Sequence, residues 1–165
     1  MDVRKTMKKK KNVRKANLKD VESIDSIVNA AYEILSGNAG VKRDWDRFRT
    51  LYHPQARMIP TGKRANGEVG TRIMNIEEYI ENAAPFLEKE GFFEKEIAKK
   101  IERFGNVAHC FSTYESFHKA TDKKPFSRGI NSIQLLFEEN RWWIMNVFWD
   151  SETEEKPIPK KYLKK

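Results

Sequence analysis

An α+β fold is predicted by three features of the sequence. Helical periodicity is confined to the first 90 residues. Runs rich in aromatic and β-branched residues then fill 106–149. Two of those runs, Ile130–Phe137 and Trp142–Trp149, are joined by the tight connection Glu138–Arg141. Helices first and antiparallel strands after is the α+β pattern.

Each element has its own signal. Val21, Ile24, Val28, Ala31 and Leu35 recur at spacings of three and four, Asp20 is a capping residue type, and Gly37 offers a stop. Asp44 precedes a shorter helix whose Trp45, Phe48, Leu51 and Tyr52 share a face, with Pro54 as its expected end. Ala56–Pro60 reads as a short strand and Thr61–Gly70 as an exposed hairpin. Asn75 and Glu78 form a capping-box pattern ahead of a helix over Ile76–Lys89, in which Pro85 is a kink site and Gly91 a terminator. FFEKEIAKKIERF (92–104) suits a helix by composition and a half-exposed strand by the alternation of Ile97, Lys99, Ile101 and Arg103. NVAHCFSTYESF (106–117) reads as a strand.

The 165 residues fit one domain with tails, enough to bury a core without covalent staples. A single cysteine, Cys110, excludes an internal disulfide and a cysteine-based zinc site. No apolar run approaches the roughly 20 residues that span a bilayer, and the basic N-terminus lacks the apolar core of a secretory signal; a cytoplasmic location is expected. The net charge of +8 is unevenly placed. Residues 1–19 hold nine Lys/Arg against one Asp, and residues 156–165 hold five Lys and no acid. Residues 20–155 hold 18 Lys/Arg against 23 Asp/Glu, a mildly acidic body. The expected division is a basic disordered arm (1–19), a domain (20–155) and a basic C-terminal tail (156–165). Nucleic acid is not expected on the domain. The arm, with Lys8–Lys11 at its centre and no aromatic residue, reads as a solvated segment or as an electrostatic tether for an anionic partner such as RNA.

DWDRFRTLYHPQARMIP, a helix running into a strand, and SIQLLFEENRWWIMNVFWD, a terminal hairpin, resemble the nuclear-transport-factor-2-like superfamily, SnoaL-like branch. The resemblance covers roughly residues 20–152. It implies a cystatin-like cone: three N-terminal helices packed on a curved, mostly antiparallel sheet around a pocket. It also implies a strand at 92–104, and commonly a homodimer on the sheet's outer face. The fold hosts isomerases, dehydratases, cyclases, carriers and dimerisation modules, so it implies no activity by itself. Ketosteroid isomerase, similar in layout, needs a carboxylate base after the first strand, with a Tyr and a protonated Asp as donors. Tyr32 matches the Tyr, but Ile59 or Pro60 and Ile133 fall where the carboxyl groups belong, so that chemistry is not supported. Scytalone dehydratase uses paired His and an Asp; no motif fixes His53, His109 and His118 into that geometry.

Candidate chemistry is spread over the strands. His109 is a general base if it faces inward and structural if it faces outward. Asp150, beside Trp149, is either an acid/base with a raised pKa or a strand-end ion pair with Arg128 or Arg141. Tyr32 and Tyr114 are carbonyl-polarising donors or packing anchors. Trp45, Tyr52, Arg128, Asn131 and Trp149 complete the expected ligand-binding set. Of the consecutive Trp142 and Trp143 one must face outward and be covered. No metal and no cofactor is expected. The first functional reading is a pocket for an unidentified small organic ligand. The second is a lyase or isomerase using Asp150 or His109 with Tyr32 or Tyr114. The third is a non-catalytic dimerisation module with partner-binding tails.

Overall fold

The computed structural model describes residues 15–164; the expected basic arm lies outside them apart from its last five residues. Four helices, α1 (Leu18–Val21), α2 (Ile24–Leu35), α3 (Trp45–Leu51) and α4 (Ile76–Glu90), pack on a six-stranded sheet. The strands are β1 (Tyr52–Lys63), β2 (Val69–Thr71), β3 (Phe93–Phe104), β4 (Val107–Phe117), β5 (Ser127–Glu138) and β6 (Arg141–Ser151). Their order is β2-β1-β6-β5-β4-β3, antiparallel except for the parallel β1–β6 pair, and the sheet does not close. The chain is therefore α+β, as its element order predicts.

The helix expected from Asp20 is two helices. Asn17 caps α1, and Ser23, whose hydroxyl accepts from the Ser26 N–H, starts α2. Asp20 does not cap; it is buried and receives two bonds from the Arg47 guanidinium at 2.8 and 2.9 Å. α3 ends at Leu51, three residues before Pro54, which instead lies within β1. The strand expected at Ala56–Pro60 runs to twelve residues because the hairpin with β2 extends it. α4 carries the complete Asn75/Glu78 capping box, contains Pro85, and ends before Gly91 at φ 73°. The ambiguous 92–104 segment is β3, as the resemblance implies: Glu94 to Phe104 pair along β4 with one irregularity between Glu96 and Ala98.

The core lies between the helices and the concave face of the sheet, with Phe48, Ile27, Leu51 and Ile144 fully buried. Trp142 faces this core. Trp143 faces outward and is covered within the chain, by the Arg141 guanidinium 3.5 Å from its ring centre and by the edge of His53. The expected C-terminal tail is a strap lying against the outer face of the sheet. Ile158 is buried, its N–H donates to Glu152 at 2.9 Å, and Thr113 donates to the Tyr162 carbonyl at 2.6 Å. The Tyr162 ring meets Phe111 edge-on at 4.9 Å.

Candidate functional site

A cavity of about 260 Å³ opens between α2, α4 and the concave sheet face. Alternation along each strand decides what reaches it. Ser112, Tyr114 and Ser116 of β4, Asn131 and Ile133 of β5, and Val147, Trp149 and Ser151 of β6 point to the concave side, where most of them line the cavity. α2 supplies Val28, Ala31, Tyr32 and Leu35, and α4 supplies Tyr79. The wall is predominantly apolar and aromatic, the usual character of small-molecule pockets.

The one carboxyl among the described lining residues is Glu94. The start of β3 is tied to the end of α2: Gly37 and Phe92 exchange backbone bonds, and Ser36 Oγ accepts from the Glu94 N–H at 3.0 Å while donating to the Tyr32 carbonyl at 2.8 Å. This fastening brings the Glu94 carboxyl to the cavity wall, where it accepts from Ser116 at 3.1 Å and bonds the Asn131 amide. Burial pushes its pKa up to about 7, against the opposing pull of those two hydrogen bonds.

A directed chain of hydrogen bonds runs beside it. The Asn131 amide donates to Tyr32 Oη at 3.0 Å. Ser112 donates to Glu96 at 2.5 Å, so its single proton is committed, and the 2.7 Å bond between Tyr32 and Ser112 must be donated by Tyr32. Glu96 is held in turn by Lys99 at 2.9 Å. Burial first, and the Glu94 charge second, raise the Tyr32 pKa, which keeps the phenol neutral. Its proton is nevertheless spent inside this chain. Tyr52 and Tyr79, also raised chiefly by burial, stay neutral and line the same cavity. Elsewhere on the wall, Tyr114 Oη bonds Ser151 Oγ at 3.2 Å. Gly129 makes room for it, since a Cβ there would collide with the Tyr114 hydroxyl.

Of the residues expected from sequence, Tyr32, Tyr52, Tyr114, Asn131 and Trp149 meet around the cavity. Trp45 packs edge-on against Phe48 and donates to Glu88 at 3.1 Å, outside the lining. Arg128 points away and pairs with Glu152 at 2.7 Å. Asp150 and His109 lie on the outer face. Asp150 pairs with Lys156 rather than with either arginine, and His109 bonds Ser132 at 3.0 Å. The acid/base pairs expected from sequence therefore fall on opposite sides of the sheet, because strand alternation puts His109 and Asp150 out of phase with Tyr114 and Trp149. Cys110 is buried, and burial pushes its thiol up to about 12. Sequence reasoning missed Glu94, Tyr79 and Ser116. Reading 92–104 as a strand places Glu94 and Glu96 on one face, which is the signal that was there to use.

No family model matches the chain, and no curated protein matches its sequence. Solved structures do match its shape. A cystatin-like-fold protein of unknown function from Nostoc punctiforme superposes with TM-score 0.60 at 10% identity, covering 79% of this chain and 90% of that one. A candidate calcium/calmodulin-dependent protein kinase II association domain from Xanthomonas campestris gives 0.57 at 13%, covering 79% and 86%. A candidate scytalone dehydratase from Novosphingobium aromaticivorans gives 0.56 at 12%, covering 79% and 82%. Helices first, an unclosed six-stranded sheet and these superpositions agree: the chain has the cystatin-like fold of the nuclear-transport-factor-2-like proteins.

Proposed function

We propose that the chain is a small-molecule-binding domain whose cavity takes a compact, largely apolar ligand with one polar end. The observation that carries this reading is the cavity of about 260 Å³ with a polar cluster, Glu94, Ser116 and Asn131, set into a mainly apolar and aromatic wall. A purely structural core would close such a volume, because unfilled space costs stability. Ligand-observed NMR with a fragment library tests it. Saturable binding is expected, and Ala31→Phe, which fills the α2 side, is expected to remove it while leaving the fold intact. Equal binding by that variant, or no saturable fragment at all, sinks the reading.

A second reading, acid–base catalysis of the lyase or isomerase kind, is favoured by one observation. A carboxyl with a pKa of about 7 populates both protonation states near neutrality. Glu94 would exchange the proton, and Tyr52 or Tyr79 would donate to an oxygen of the substrate. In this reading Glu94 replaces Asp150 and His109. The third reading, dimerisation, draws on the association-domain name of the Xanthomonas campestris neighbour. A homodimer built on the outer sheet face would have to use the part left open by the 152–162 strap, around Val107 and Phe148. Its test is the sedimentation of the full chain.

A further inference from the structure

Charge at the cavity narrows the ligand class. This step rests on the binding reading above and goes beyond it. Among the described residues that line the cavity, Glu94 is the only ionisable acid or base other than tyrosine; no Lys, Arg or His reaches the wall. The aromatic rings that line the cavity with it include Tyr32, Tyr52, Tyr79, Phe92, Tyr114 and Trp149.

An anionic ligand would meet a carboxyl and no counter-charge, with the solvation of both groups lost. A neutral ligand gains only hydrogen bonds. A protonated amine gains an ion pair with Glu94 and the attraction of the electron-rich ring faces. We infer that the cavity is selective for small organic cations, specifically aryl- or alkyl-ammonium compounds, with the ammonium seated between the Glu94 carboxylate and the surrounding tyrosines. The neutral phenols of Tyr52 and Tyr79 fit this arrangement, since their oxygens can accept from an ammonium as readily as their protons can be donated.

The groups facing Glu94 are Tyr32 from α2, Tyr52 from β1, Tyr79 from α4, Tyr114 and Ser116 from β4 and Asn131 from β5, with Glu96 and Lys99 farther along β3. Tyr32, Tyr52, Tyr79 and Tyr114 all have pKa values raised above the ordinary phenol range, so they stay neutral near pH 7. Glu94, with a pKa of about 7, is then the wall group whose charge changes between pH 6 and pH 8.

Three probes of nearly one shape separate the classes: phenethylamine, 2-phenylethanol and phenylacetate, titrated calorimetrically into the full chain. The amine is expected to bind about tenfold or more tightly than the alcohol, and phenylacetate not measurably. Its affinity is expected to be about tenfold lower at pH 6 than at pH 8, while that of the alcohol is not. Glu94→Gln is expected to bring the amine down to the affinity of the alcohol. Alcohol binding as tight as amine binding, or a preference that survives Glu94→Gln, overturns the inference and leaves the cavity reading standing. If none of the three saturates, the cavity reading falls and this inference falls with it. Should Glu94→Gln fail to fold, the wild-type pH pair decides: equal amine affinity at pH 6 and pH 8 refutes selectivity through Glu94.

Discussion

Glu94 stores a cost in the folded state. Its folded pKa of about 7 lies above the ordinary glutamate value, so the folded chain holds a proton that the unfolded chain has released between those limits. Stability attributable to this group is therefore fully present below the unfolded pKa and is lost as pH rises through the folded one. The expected loss is on the order of 3 kcal/mol between about pH 4 and pH 8. Glu94→Gln keeps the shape without the charge. Melting curves of the two proteins should diverge as pH rises, the Gln variant becoming the more stable at pH 8; parallel curves would contradict this. Arg43 is the opposite case, a buried charge that stabilises. Its guanidinium donates to the carbonyls of Leu35 and Gly37 at 2.8 Å and of Leu87 at 3.0 Å, gathering the ends of α2 and α4. Arg43→Met removes all three of these donors, leaving the Gly37 carbonyl only its bond from the Phe92 N–H, and should cost about 3 kcal/mol in chemical denaturation.

Among the elements, the β5–β6 hairpin was legible from sequence because turn chemistry is local. Glu139 and Asn140 sit at φ 54° and 57°, the left-handed pair a two-residue hairpin demands. Asn140→Gly should be tolerated and Asn140→Val should cost about 1 kcal/mol, read from the unfolding midpoint. β3 was not legible from composition, since Lys and Glu suit a helix. Pairing with β4 and the fastening at Ser36 overrule that local preference, and with β3 went Glu94. The C-terminal strap was missed for a similar reason: Lys-rich sequence reads as solvated, yet Ile158 and Tyr162 anchor it. Tyr162→Ala should release it, seen as faster amide exchange over 156–162 with the exchange of β4 unchanged.

Across the whole molecule, the layer order followed from the position of periodic segments along the chain, whereas the site did not. Whether a strand residue faces the cavity or the outer surface depends on phase, and one irregularity shifts it. The pairing of β5 with β6 slips between Gln134 and Leu135, so inward residues run Trp142, Ile144, then Val147 and Trp149. Four of the expected site residues on strands, Tyr52, Tyr114, Asn131 and Trp149, have the right phase. Asp150 and His109 have the other. The functional account then depends on one carboxyl standing at the wall of a mainly apolar and aromatic cavity that no Lys, Arg or His lines among the described residues. Carbon-detected NMR of the Glu94 side-chain carboxyl measures that directly. A titration midpoint near 7, displaced when the cavity is occupied, is the predicted result; a midpoint near the ordinary glutamate value of about 4.3, indifferent to cavity ligands, would contradict the account.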